Sequence, residues 1–183
     1  MENIFFDRSK LKYCGENVII GKTVRIRKPE EVSIGDGTII DDFTYISCGI
    51  TVGKNCHIAS NVSISGSLAH LYVGDYTTIS HHSSIHCASS EYDTLSLDLP
   101  SVPEKLRFGG TYEDVNIGKY CVIGAHTCIL PGTNIPDGFA SGAHSLIKKI
   151  KYLPYSLYAG IPAKFIKERT GKDEFFKRLG IEF

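Results

Sequence analysis

Ile34-Gly35-Asp36-Gly37-Thr38-Ile39-Ile40-Asp41-Asp42-Phe43-Thr44-Tyr45-Ile46 begins a run that continues through Val52, Ile58 and Ile64, with one large aliphatic residue every six positions. The position after the aliphatic is often small (Gly35, Gly53, Ala59), and the fourth after it is small or β-branched (Thr38, Thr44, Cys56, Val62). Six is an even period, so it keeps a strand's alternation of inside and outside from one unit to the next. It fits neither an α-helix nor a hairpin meander, whose turn signals recur at wider spacing. Each unit is one short strand plus one corner. Three units close a triangular coil, and stacked coils pair their strands in parallel about 4.8 Å apart. The aliphatic fills the prism and the small residue fits beside it, which accounts for Cys56 and Cys121 by packing alone. Glycine after the aliphatic suits a crowded corner.

Outward from this stretch the series extends back to Ile20 and on through Val73, Ile79 and Ile85, then Ile117, Ile123, Ile129 and Ile135. Two extra residues enter between Ile26 and Ile34, three between Ile64 and Val73, and a long insertion at about residues 86–116. Insertions in solenoids emerge as loops on one face, often the binding face. The fold expected is all-β, a parallel β-helix over residues 1–150 with a protruding loop, closed by a tail over residues 151–183. In that tail Ala163 to Arg169 and Glu174 to Leu179 read as helices capping the open prism.

The chain has 183 residues, with 20 Lys+Arg balanced by 20 Asp+Glu. A zero net charge offers no electrostatic footprint for nucleic acid. No apolar run reaches the roughly 18 residues of a membrane span, and the first residues lack the apolar core of an export signal. A cytoplasmic protein with reduced thiols is expected. The six cysteines form no CxxC pair.

The repeats, with Tyr158-Ala159-Gly160-Ile161-Pro162-Ala163-Lys164 after the last coil, resemble the left-handed β-helix (hexapeptide-repeat) acyltransferases over nearly the whole chain. The left-handed winding comes from that resemblance. Ile40-Asp41-Asp42-Phe43, Val102-Pro103 and Ile123-Gly124-Ala125-His126 are similar to the nucleotide-sugar N-acyltransferases, and related sugar O-acetyltransferases share the same ending. The resemblance implies a homotrimer binding acetyl-CoA as co-substrate between subunits, with no metal, and a nucleotide-linked sugar shaped by the protruding loop. Ala125 and Ala143 then match backbone positions lining the pantetheine channel, and Lys148 a polar contact further along. Lys164 and Lys167 match basic residues near the CoA phosphates.

Acyl transfer needs a nucleophile able to lose its proton and a donor for the developing oxyanion. A sugar hydroxyl needs a base; a neutral amine already has its lone pair. O-acetyltransferases of this fold place a His just inside the insertion, where this chain has Ala88-Ser89-Ser90-Glu91-Tyr92-Asp93. The acidic Glu91 and Asp93 suit an amino sugar, although Ser90 stands where that pattern carries an acid. His86, the last residue before the insertion, is the first candidate for handling the proton, and His82 the second. Each also reads as a surface or interface histidine bonded to a carbonyl. Glu91 joins them as a candidate, and Ser90, Tyr92, Asp93, Lys105 and Arg107 are candidates for holding the sugar, Arg107 by neutralising a diphosphate. Equally, these are ordinary solvated loop residues.

The expected activity is acetyl transfer to the amino group of a nucleotide-linked sugar in surface-polysaccharide assembly. The alternative is O-acetylation of a sugar hydroxyl. A remoter one is a β-helix carbonic anhydrase, since His81 and His86 have the spacing of its zinc ligands. The third ligand falls at Tyr45, 36 residues before His81, and tyrosine completes no such site. A non-catalytic β-helix scaffold is a further alternative, and the CoA-groove residues that the resemblance implies stand against it.

Overall fold

The computed structural model describes residues 3–93 and 95–180. Within them the chain winds into a left-handed parallel β-helix of triangular section. The first face stacks Tyr13–Cys14, Val32–Ile34, Gly49–Val52, His70–Val73, Val115–Ile117 and Asn134–Ile135. The second runs from Ile19–Ile20 through Ile39–Ile40, His57–Ile58, Thr78–Ile79 and Val122–Ile123 to Ala140–Ser141 and Ser156–Gly160. The third runs from Arg25–Ile26 through Tyr45–Ile46, Ser63–Ser65, Ser84–His86 and Cys128–Ile129 to Leu146–Ile147. Register follows the repeat, Ile34 opposite Val52, Ile40 opposite Ile58 and Ile46 opposite Ile64. The aliphatic stacks are the core: Ile34, Ile40, Ile46, Ile58, Ile64, Ile79, Ile85, Ile123 and Ile129 have no solvent exposure. Each contributes about 1.5–3 kcal/mol by leaving water.

The fourth position carries a second, polar ladder. Buried Thr38 donates its hydroxyl to the Gly53 carbonyl (2.8 Å) and accepts the Cys56 N–H (3.0 Å). Thr77 repeats both bonds with Gly118 and Cys121. These hydroxyls tie each corner to the next coil. Thr38→Val keeps the shape and strands a buried N–H and a carbonyl, so we expect a loss of about 2 kcal/mol in urea unfolding.

The small residue after the aliphatic has a sharper reason than corner crowding. A Cβ on Gly35 would lie 2.6 Å from the Gly53 carbonyl carbon and 2.7 Å from the Lys54 nitrogen, so the neighbouring backbone occupies that space. The left-handed bend falls two residues later, at Gly37, Phe43, Asn55, Asn61, Tyr76, His82, Tyr120, His126 and His144, all with positive φ. Asn and His adopt that region more readily than bulkier residues.

The three extra residues before Val73 lengthen one corner between the third and first faces. The long insertion leaves at the same corner one coil later. Its neck is an antiparallel pair, Ala88–Ser89 with Thr111–Tyr112.

The tail departs from expectation. Ala163–Glu168 is a strand, paired antiparallel with Ser156–Gly160. Ser156–Gly160 would otherwise leave an open sheet edge at the end of the prism; a returning strand satisfies its backbone groups, which a helix cannot do. The helix beyond it spans Lys172–Arg178, close to the expected position, and buries Phe176. Arg169 fastens the tail by donating Nη1 to the carbonyls of Tyr120 (3.1 Å) and Gly138 (2.8 Å).

Candidate active site

A cleft of about 510 Å³ opens where the third face meets the insertion. The coils supply Arg27, Ser47 and Ser65, each directly after a core isoleucine, and Lys28 beside them. The insertion supplies Ala88, Ser90, Asp98, Pro100, Arg107 and Tyr112. Of the candidates read from sequence, Ser90 and Arg107 line this cleft.

His86 belongs to the same column as Ser47 and Ser65, in register with Ser65 on the adjacent coil. Its Nδ1 lies 3.0 Å from Ser65 Oγ, in hydrogen-bond contact. The half-buried ring has its pKa pushed below the ordinary 6.5 by burial, so it is neutral at pH 7. His86 is thus two residues from Ala88 and one hydrogen bond from Ser65, both cleft-lining.

The other insertion candidates are arranged differently. Glu91 turns back on its own loop, Oε1 accepting the N–H groups of Tyr92 (2.8 Å) and Asp93 (2.9 Å). Tyr92 is 87% exposed, and Asp93 and Lys105 are also exposed. Arg107 staples the loop, Nε donating to Val102 O (2.6 Å) and Nη2 to Pro100 O (2.7 Å), with its other donors free of these bonds. Tyr112 donates its hydroxyl to Asp98, and that bond pushes the phenol pKa up. Lys28 pairs with Glu31 (3.2 Å) and donates to Ser67 O (3.2 Å).

His82 lies away from the cleft. It is a corner residue between the second and third faces, its ring stacked on His126 at 4.9 Å, and His126 stacks on His144 at 4.6 Å. Beside this ladder runs a stripe of small residues. The His144 N–H donates to Ala125 O (2.9 Å), and a Cβ on Gly142 would sit 2.9 Å from that of Ala159. Ala125 and Ala143 therefore follow one another along one edge of the third face. Lys148 follows Ile147 as His86 follows Ile85, so it stands in the His86 column on the other edge. Candidates far apart in sequence bracket one face, with Cys128 and Leu146 half-buried between them. Lys164 and Lys167, placed in sequence on a presumed helix, lie on the returning strand opposite Ala159 and Leu157. The side-by-side placement of a helical i, i+3 pair is lost to them. Among the described residues no cluster of three His, Cys, Asp or Glu is arranged to hold a metal ion.

Over 177 residues the chain is 33% identical to the dTDP-4-amino-4,6-dideoxy-D-glucose acyltransferase of Escherichia coli, covering 94% of this chain and 90% of that protein. The chain belongs to the hexapeptide-repeat acyltransferases. The family model described as bacterial transferase hexapeptide (six repeats) matches residues 31–66, the stretch that sets the period. Among solved structures, AntD, an N-acyltransferase from Bacillus cereus, superposes with a TM-score of 0.84 at 26% identity over 98% of both chains. That structure is of a mutant in complex with dTDP-4-amino-4,6-dideoxyglucose and coenzyme A. A second AntD structure, in complex with dTDP and 3-hydroxybutyryl-CoA, gives a TM-score of 0.81 at 28% identity, covering 97% of this chain and 99% of that one.

Sequence reading missed Arg27, Lys28, Ser47, Ser65, Asp98 and Tyr112. The first four had a signal: three directly follow the isoleucines of the third face, as His86 does, and Lys28 is the next residue on. Asp98 and Tyr112 had none, because the insertion has no period to count by.

Proposed function

We propose that this acyltransferase moves an acetyl group from acetyl-CoA to the amino group of a nucleotide-linked amino sugar, in the assembly of a surface polysaccharide. The observation that carries this reading is the basic cleft beside His86, whose ring is hydrogen-bonded to the cleft-lining Ser65. Arg27, Lys28 and Arg107 offer charge for a diphosphate, and Asp98 and the loop carboxylates suit an amine. The relatives that act on or bind dTDP-4-amino-4,6-dideoxyglucose point to the same substrate class.

Acetyl-CoA lies along the third face, its arm against Ala125 and Ala143 and its polar groups near Lys148. Lys164 and Lys167 serve its phosphates. Ala143 and Lys148 are exposed in the single chain, so the groove needs a second wall, which a neighbouring subunit of a homotrimer supplies. The sugar amine attacks the thioester carbonyl carbon. A C–N bond forms, the resulting ammonium gives its proton to His86, and the C–S bond breaks. The CoA thiolate leaves and takes the proton from His86. Ser90, Tyr92 and Asp93 frame the sugar. Acetyl-CoA is a cytoplasmic metabolite, and we place the enzyme there; no helix among the described residues is long and apolar enough to cross a membrane.

The test is thiol release with acetyl-CoA and paired acceptors, dTDP-4-amino-4,6-dideoxyglucose and its 4-hydroxy counterpart. At least a 100-fold preference in kcat/KM for the amine is expected; turnover of the hydroxyl sugar alone overturns the reading. Because burial lowers the His86 pKa, the neutral form persists to a lower pH than for a free histidine. The midpoint of the histidine limb of kcat therefore lies below that of an ordinary histidine, and activity falls as pH drops through it.

A further inference from the structure

Six of the seven histidines have partners outside the cleft. His57 meets Asp41, His70 meets Thr51 and His81 meets Ser60, while His82, His126 and His144 stack on one another. Among the described residues, only His86 shares its hydrogen bond with a residue lining the cleft, Ser65. The contact follows from the period: both residues come directly after a core isoleucine of the third face, on adjacent coils.

Among the described residues no carboxylate bonds the ring. Asp98 is taken by the Tyr112 hydroxyl, Glu91 by two loop amides and Glu31 by Lys28. The remaining charges on the neighbouring cleft are Arg27 and Arg107. Nε2 of His86 has no partner among the described residues.

We propose that Ser65 is the positioning residue of His86: its oxygen accepts the Nδ1–H and holds the ring in the tautomer whose bare Nε2 receives the proton of the attacking amine. This rests on the acyl-transfer reading given above for its chemical consequence, but not for its geometry. A carboxylate at this place would also stabilise the imidazolium and make the base stronger, as hydroxyl nucleophiles require. A neutral serine orients the ring without that gain. The ammonium formed when an amine attacks a thioester is acidic enough for a weak base to collect its proton, so Ser65 also biases the site toward amines.

The experiment combines Ser65→Ala, Ser65→Thr, Ser65→Asp and His86→Ala with ring ¹⁵N NMR of the free enzyme. The spectrum of the unaltered enzyme is expected to show Nδ1 protonated and Nε2 bare, and Ser65→Ala a mixture of tautomers. In turnover, Ser65→Ala lowers kcat about 10- to 100-fold with both KM values unchanged. Threonine restores kcat, and aspartate moves the histidine limb of kcat to higher pH. Ser65→Ala adds nothing in a His86→Ala background. An unaltered enzyme with Nε2 protonated, or a Ser65→Ala loss that persists without His86, overturns the proposal. An enzyme that turns over no amino sugar yet shows the expected tautomers refutes the proposed reaction and sustains the role of Ser65 in holding the ring.

Discussion

Ala143→Trp is expected to raise KM for acetyl-CoA about 100-fold, some 2.8 kcal/mol of lost binding, while leaving the fold intact. Ala143 is exposed at the edge of the third face, so an indole meets solvent in the isolated chain. Surface changes of this kind shift stability by no more than about 0.5 kcal/mol. In the proposed groove the same indole fills the space of the pantetheine arm, which needs small residues on one wall to reach the backbone. KM for the sugar should stay within about threefold, because the sugar cleft lies at the opposite edge of the third face. Steady-state kinetics on both substrates, with circular dichroism as the folding control, checks this. An unchanged KM for acetyl-CoA would move the cofactor off this edge.

The second large effect concerns the column itself. Gly35→Val should destabilise the protein by about 3 kcal/mol or more, enough to remove most soluble product at 37 °C. The added Cβ would press on the Gly53 carbonyl and the Lys54 nitrogen. Those atoms cannot retreat without breaking the Gly35 N–H bond to the Val52 carbonyl (2.9 Å) that holds adjacent coils together. Gly171→Ala is the control. Gly171 has φ +79°, with nothing within 4 Å of its added Cβ, so only the conformational cost applies, about 1 kcal/mol. Urea unfolding of the two variants at one protein concentration separates the mechanisms. Equal losses would mean that close approach of the coils is not what glycine provides here.

The coil was readable in the sequence because core and corner recur with one period, and a period survives insertions. Ile34, Ile58 and Ile85 could be assigned inward without knowing what surrounds them. The left-handed bend could have been read too: Asn55, Asn61, His82 and His126 sit three after an aliphatic, where Asn and His are favoured. That recurrence gives His82 and His126 a backbone reason for being histidine. The tail was less legible. Ala163 to Glu168 has residues compatible with a helix, and its conformation is decided by the unpaired edge of Ser156–Gly160, a partner that local sequence does not reveal.

The site divides along the same line. His86, Ser65 and Ser47 share a register position, and Ala125 and Ala143 share another, so coil arithmetic brings each set together. Within the insertion, Arg107 was chosen for its charge and Ser90 for its place in the family resemblance, and both line the cleft. Neither guide could show that Glu91 folds onto its own amides or that Asp98 is bonded by Tyr112, since those contacts depend on how an aperiodic loop closes.

The most direct measurement is the bond in the product. The enzyme is given acetyl-CoA and dTDP-4-amino-4,6-dideoxyglucose, and the purified product is examined by NMR and by treatment with hydroxylamine. An acetyl group on the 4-amino nitrogen, stable to hydroxylamine as an amide, is the result predicted. A labile ester on a ring hydroxyl, or unreacted sugar with intact acetyl-CoA, would contradict it.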